Sequence, residues 1–232
     1  MTLLTHGYFL YEDPREQEVM RPYPPLGILY LSSYLKAQGF EIDVFDTTFS
    51  SRRAFESYLR KHRPPIVGIY ANMMTRRSVL HQIQICRQVG AQVVVGGPDP
   101  ANYAEEYLVR GADVVVIGEG EHTMQELIPE LTEPGRAQLE DVKGIVFEGS
   151  EGEIIRTESR PYIDELDALP YPDREAIDIE EYIQVWREHH GKGAVSLITA
   201  RGCPYQCKWC SHAVFGYTYR WRSVEDVVQE VE

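Results

Sequence analysis

No stretch of the 232 residues stays apolar for the roughly 18 positions that a membrane helix needs, so the sequence offers nothing to span a bilayer. The opening residues, MTLLTHGYFLYEDPRE, lack the basic region and the small-residue cleavage site of a secretory leader. Basic residues are outnumbered, 23 Lys and Arg against 36 Asp and Glu. The net charge of −13 argues against a nucleic-acid backbone as the main partner. Cysteine is scarce as well. Four residues, one of them isolated at Cys86, do not make the disulfide framework of a small secreted domain. No G-x-G-x-x-G fingerprint follows an apolar run, which argues against a nicotinamide dinucleotide. These absences point to a cytoplasmic protein with neither nucleic-acid nor membrane partners.

What is present is an ordinary globular composition, 43% hydrophobic and 25% charged, and a regular alternation. Short apolar runs at 2–10, 40–47, 66–73, 92–98, 113–121 and 144–149 alternate with stretches of helical apolar spacing at 26–39, 75–90, 100–111 and 122–132. Gly39, Gly90 and Gly111 stand where helices would end. Runs that are apolar at every position, such as VVVI, suit a parallel sheet covered on both faces. The fold class expected is α/β, a doubly wound Rossmann-like parallel sheet over residues 1–150. Residues 151–193, acidic and broken by Pro161, Pro170 and Pro172, read as a linker strap with one short helix. AVSLITARG (194–202) reads as a strand running into a cysteine loop, and SVEDVVQEVE (223–232) as a helix capped by Ser223. Strand, loop and helix over 194–232 form the opening unit of a (β/α) barrel. A whole barrel needs about 200 residues more, so the chain reads as the first part of a longer protein.

The loop itself, RGCPYQCKWCSH (201–212), sets Cys203, Cys207 and Cys210 at C-x-x-x-C-x-x-C. Three thiolates on a short loop can face one metal centre. A closed zinc site wants a fourth ligand, for which His212 is available. A four-iron–four-sulfur (4Fe-4S) cluster held by three thiolates leaves one iron open for a substrate or cofactor. No acidic residue lies between His189 and Val224, whereas Arg201, Lys208, Arg220 and Arg222 do, and a positive neighbourhood favours thiolates.

The motif, with Trp209 before the third cysteine, resembles the signature of radical S-adenosylmethionine enzymes. PYPPLGILYLSSYL (22–35), VVVGGPDP (93–100), VVVIGEGE (114–121) and LDALPYPDRE (166–175), in this order ahead of it, resemble the cobalamin-binding subclass of that family. The resemblance implies three cofactors: a 4Fe-4S cluster on Cys203, Cys207 and Cys210, S-adenosylmethionine chelating the open iron, and cobalamin. Trp209 would then pack near the adenine of S-adenosylmethionine. The corrin would lie over the sheet's strand ends, with its nucleotide tail entering the sheet domain. The implied chemistry is reductive cleavage of S-adenosylmethionine, most commonly for methyl transfer to an unactivated centre of a small-molecule substrate, with flavodoxin or ferredoxin as electron donor. Oxidative ring closure, as in the anaerobic cyclases of tetrapyrrole synthesis, is the alternative within the family. Outside it stand a zinc-bound binding module and a corrinoid carrier.

Strand ends rich in small or polar residues mark the expected cofactor contacts: Asn72 and Thr75, then Gly96, Gly97 and Pro98, then Gly118, Glu119 and Gly120. Glu119 and Glu121 read equally as partners of corrin amides or as solvated loop carboxylates, and Asp43 and Asp46 as ligand contacts or as solvated or capping groups. Cys86, on an apolar helix face, reads as a core thiol. The cobalamin motif D-x-H-x-x-G is missing. His6 at the first strand end has no preceding aspartate to orient it, and Gly7 follows it directly, so no histidine is expected beneath cobalt.

Overall fold

The computed structural model describes residues 1–132 and 138–232. The chain runs β1 (Thr2–His6), α1 (Pro14–Val19), α2 (Leu26–Ala37), β2 (Ile42–Phe45), α3 (Arg52–His62), β3 (Ile66–Tyr70), α4 (Arg76–Gln88), β4 (Gln92–Gly96), α5 (Pro98–Asn102), α6 (Ala104–Val109), β5 (Val114–Val116) and α7 (Gly120–Thr132). It continues through β6 (Ile145–Glu148), β7 (Ile154–Arg156), α8 (Ile179–His190), β8 (Ala200–Gly202), β9 (Tyr219–Trp221) and α9 (Val224–Val231). The sheet order is β2-β1-β3-β4-β5-β6-β7. The first five strands are parallel, and β6 and β7 extend the sheet antiparallel.

The sheet is doubly wound because its strands are apolar on both faces. Leu3, Val67, Val93 and Val115 pack on one side with Phe55 and Leu59 of α3, Val79 and Ile83 of α4, and Tyr107 of α6. Leu4, Val94, Val114 and Val116 pack on the other with Ile28 and Leu35 of α2 and Met124 and Leu127 of α7. Strand order reverses between β1 and β3, and at such a switch point a crevice opens beyond the carboxyl ends of the strands.

Some elements differ from the sequence expectation. The sheet is not wholly parallel, and its last strand, β7, lies beyond the boundary expected at 150. A hairpin of short strands can join an edge without a crossover helix. Helix α3 has only Phe55 and Leu59 buried, too few apolar positions to announce itself, although Ser51 caps it by accepting from the Ala54 N–H at 3.2 Å. The helix expected at 100–111 breaks at Tyr103, where the Asn102 side chain turns back to donate to the Pro98 carbonyl at 2.7 Å. AVSLITARG is a strand only at Ala200–Gly202. This stretch pairs antiparallel with β9, so a second strand stands between the cysteine loop and α9.

The strap is tied down by polar contacts. Tyr182 of α8 is fully buried, and its hydroxyl donates to Asp46 at 2.7 Å and sits 2.6 Å from the Thr48 hydroxyl. Trp186 Nε1 donates to the Pro22 carbonyl at 2.7 Å. Burial alone would raise the Asp46 carboxyl. Hydrogen bonds from His6, the Thr48 N–H and Tyr182 outweigh it and hold the group below its usual range. A depressed native value contributes stability above the unfolded-state pKa of about 3.9, and that contribution is lost as pH falls through the folded value. Asp46→Asn is therefore expected to lower unfolding stability at pH 7 by about 1–3 kcal/mol. The deficit should shrink toward pH 3, as measured by urea denaturation across that range.

Candidate functional site

A cavity of about 1400 Å³ opens over the carboxyl ends of β1, β3, β4 and β5. It exceeds the roughly 300–1,000 Å³ of ordinary small-molecule sites. It also continues down the sheet face, past Leu4, Gly68 and Val94 beneath Ile28, Leu31 and Met124 of α2 and α7. A large ligand with a flat part over the strand ends and an arm along the sheet matches this shape.

The floor is built by close backbone approach. Gly97 has φ +112°, and a Cβ there would lie 2.4 Å from the Ala71 carbonyl and 3.0 Å from the Tyr70 ring. Gly96, Gly97 and Pro98 all line the cavity, as do Asn72 and Thr75. The Asn72 carboxamide oxygen accepts from the Met74 and Thr75 N–H groups at 3.0 Å each, which shapes the turn into α4. Gly118, Glu119 and Gly120 line the β5 side.

The cysteine loop closes over one edge. Cys203 and Cys210 line the cavity, while Cys207 and Trp209 lie outside it and Trp209 is 86% exposed. All three thiols are exposed, and the Cys210 N–H donates to the Cys207 carbonyl at 3.1 Å. Among the described residues no trio of His, Cys, Asp or Glu is yet drawn tightly enough to hold a metal. The thiols nevertheless sense one another. The Cys210 thiol is raised, by partial desolvation first and then by its neighbours Cys207 and Cys203. Three exposed thiols on one short loop form a soft donor set of the kind that holds an iron–sulfur core, so the residues fit such a cluster. His212 donates through Nδ1 to the Gly216 carbonyl at 3.2 Å and stacks on Tyr217 at 4.2 Å, with Nε2 buried and without a partner among the described residues.

Some sequence-based expectations need correction. Glu119 and Glu121 are not solvated loop carboxylates: they are 7% and 5% exposed. Arg201 Nη1 donates to Glu119 at 2.8 Å and Nη2 to Glu121 at 2.6 Å, while Arg220 donates to Glu119 at 2.9 Å. Nor are the loop's flanking arginines a free positive field, since Arg222 pairs with Asp226 and Glu230 as well. Burial alone would lower Arg201; Glu121 and Glu119 more than offset it and hold the guanidinium charged.

His6 does have an orienting aspartate, contributed by the end of β2. Its Nε2 lies 2.8 Å from Asp46, and its Nδ1 accepts from the Tyr8 N–H at 3.2 Å. Both ring nitrogens are thus engaged within the protein. Asp43 accepts from the Tyr58 hydroxyl, so both β2 aspartates are structural partners rather than solvated groups. Cys86 is fully buried, and burial pushes its thiol up to about 12, as for a core residue.

Residues 17–128 match the B12 binding domain family. The chain is 30% identical to an uncharacterized methyltransferase of Pyrococcus horikoshii across 90% of its own length and 45% of that protein's. It is also 30% identical to an anaerobic magnesium-protoporphyrin IX monomethyl ester cyclase of Rubrivivax gelatinosus, across 93% of this chain and 40% of the cyclase. The chain carries a match to a B12 binding domain and is similar to these two proteins over nearly its whole length. It corresponds to the N-terminal part and spans less than half the length of these two relatives. The cobalamin-dependent S-adenosylmethionine radical enzyme OxsB, solved with aqua-cobalamin bound, shares the fold. The TM-score is 0.78 at 24% identity, over 99% of this chain and 31% of that one. The matched B12 domain contains α2 and the strand ends after β3, β4 and β5, which form much of the cavity wall.

Gly97→Ala is expected to force a left-handed residue against the Ala71 carbonyl and to cost at least about 1–3 kcal/mol of unfolding free energy. Denaturant unfolding checks the size, and the same substitution at Gly27, where a Cβ meets nothing within 4 Å, serves as control.

Proposed function

We propose that this chain is the cofactor-binding part of a cobalamin-dependent radical S-adenosylmethionine methyltransferase. The observation that carries the reading is one cavity, lined on one side by the strand ends of a B12 binding domain and on the other by Cys203 and Cys210. Two cofactors bound there would face each other across a shared space. When bound, the cluster supplies the electron that cleaves S-adenosylmethionine, and the corrinoid carries the methyl group.

The protein's residues have separate tasks. Cys203, Cys207 and Cys210 hold the cluster and leave one iron for S-adenosylmethionine. Trp209, highly exposed next to the third thiol, covers the adenine. Gly96, Gly97 and Pro98 let the corrin approach the β4 end, with Asn72 and Thr75 on one side and Gly118, Glu119 and Gly120 on the other. His6, with both nitrogens engaged within the protein, would not be free to ligate a bound corrinoid. The partners are a small-molecule substrate and a flavodoxin or ferredoxin. Ring closure is the second reading, favoured by the likeness to cyclases of Rubrivivax gelatinosus and Cereibacter sphaeroides.

Two measurements test this on the full-length protein under anaerobic conditions. Iron and acid-labile sulfide should be retained by the wild type and by Cys86→Ala, and lost together with the visible cluster absorption in Cys207→Ala. Cluster content surviving Cys207→Ala overturns the ligand assignment. Turnover by a methyltransferase should release S-adenosylhomocysteine alongside 5′-deoxyadenosine, whereas 5′-deoxyadenosine without S-adenosylhomocysteine would favour ring closure.

A further inference from the structure

Arg201 stands in β8, two residues before Cys203, and its side chain leaves the hairpin for the sheet domain. Its two terminal nitrogens reach separate carboxylates 82 and 80 residues earlier in the chain, Glu119 at 2.8 Å and Glu121 at 2.6 Å. Arg201 is itself only 6% exposed. Arg220, its direct partner across the hairpin, also donates to Glu119 and reaches the Ile163 carbonyl at 2.5 Å. The second Glu119 oxygen accepts from the Ile163 N–H at 2.8 Å, so this carboxylate is fully occupied. The guanidinium of Arg201 also lies over the rings of Tyr30 and Phe215, at 5.6 and 5.7 Å.

Glu119 and Glu121 flank Gly120 where the end of β5 runs into α7, on the β5 side of the cavity. The segment that follows the third cysteine comes near the sheet domain at two further places. Asn102 Nδ2, at the end of α5, lies 3.3 Å from the Ser211 hydroxyl, and a Cβ placed on Gly118 would lie 3.7 Å from the Val214 carbonyl. Whatever rests on the Gly118–Gly120 backbone therefore fixes the two carboxylates, and these fix the strand from which the first thiol emerges. The loop from Cys203 to Cys210 has no regular structure of its own, so its position depends on such anchors.

We propose that Arg201, Glu119 and Glu121 are positioning residues that make corrinoid binding in the cavity and cluster loading on the cysteine loop cooperative. The inference rests on the proposed function. Linkage makes the effect reciprocal: cluster loading tightens the corrinoid by the same factor as the corrinoid tightens the cluster. The bidentate fork is essential, because a point charge cannot hold two carboxylates in one plane.

The test uses the full-length protein and hydroxocobalamin. Its dissociation constant is measured by visible absorption for apoprotein and for protein reconstituted with iron and sulfide, in the wild type, Glu121→Gln and Arg201→Lys. Cluster loading should tighten hydroxocobalamin about fivefold or more in the wild type. Glu121→Gln, which keeps the shape but removes one charge, should bring the ratio toward one, and Arg201→Lys should do the same while iron content stays at the wild-type level. A wild-type ratio of one overturns the inference without any variant, and an undiminished ratio in both variants overturns it as well. If wild-type protein takes up neither iron nor hydroxocobalamin, the proposed function falls and the inference with it. If both bind independently, only the inference falls.

Discussion

A guanidinium cannot be left buried without a counter-charge, and this constraint on Arg201 organises the joint between the sheet and the cysteine loop. Breaking such a pair by removing one partner costs about 3–5 kcal/mol, because the surviving charge remains desolvated. Glu119 and Glu121 therefore have to meet Arg201, and Arg220 and Ile163 complete the bonding of Glu119. The hairpin carrying Cys203 is thereby held against the end of β5. A second buried network works the same way further out: Arg222 and Arg174 share Glu230, and Arg222 also reaches the Tyr30 hydroxyl. Together the two networks bind the last forty residues to α2 and α7, although few apolar side chains join them.

The sheet domain answers a different need. Its strands are apolar on both faces, so helices cover both, and the crevice is left where strand order reverses. Groups at that crevice are committed to one another. His6, Asp46, Thr48 and Tyr182 form a closed set that links β1, the end of β2 and α8. What remains open to a ligand is mostly backbone and apolar surface, as befits a large cofactor carried by shape and by close approach of glycines.

Much of this was legible in the sequence. Apolar runs in alternation with helical spacing located β1 to β6 and the main helices, and C-x-x-x-C-x-x-C located the thiols. These signals are local, since period and spacing are set within a few residues. The glycines and small residues read at the strand ends line the cavity, where only the backbone constraint had to be read.

Tertiary structure decided which charged groups meet. Glu119 and Glu121 lie in a turn that looks solvated when read alone, and Arg201, Arg220 and Arg222 look like a positive field around the cysteines. The pairing of Arg201 and Arg220 with Glu119 and Glu121, across 80 to 101 residues, follows from desolvation at a joint that exists only once β8 and β9 fold back on β5. The aspartate that orients His6 was likewise invisible, because it comes from the parallel neighbour strand rather than from two residues upstream. Sequence by itself determined the strands β1 to β6, most of the helices that cover them, the sheet class and the spacing of the thiols. The ion pairs that position those thiols were left to the fold, because a charge's partner is chosen by what topology buries beside it.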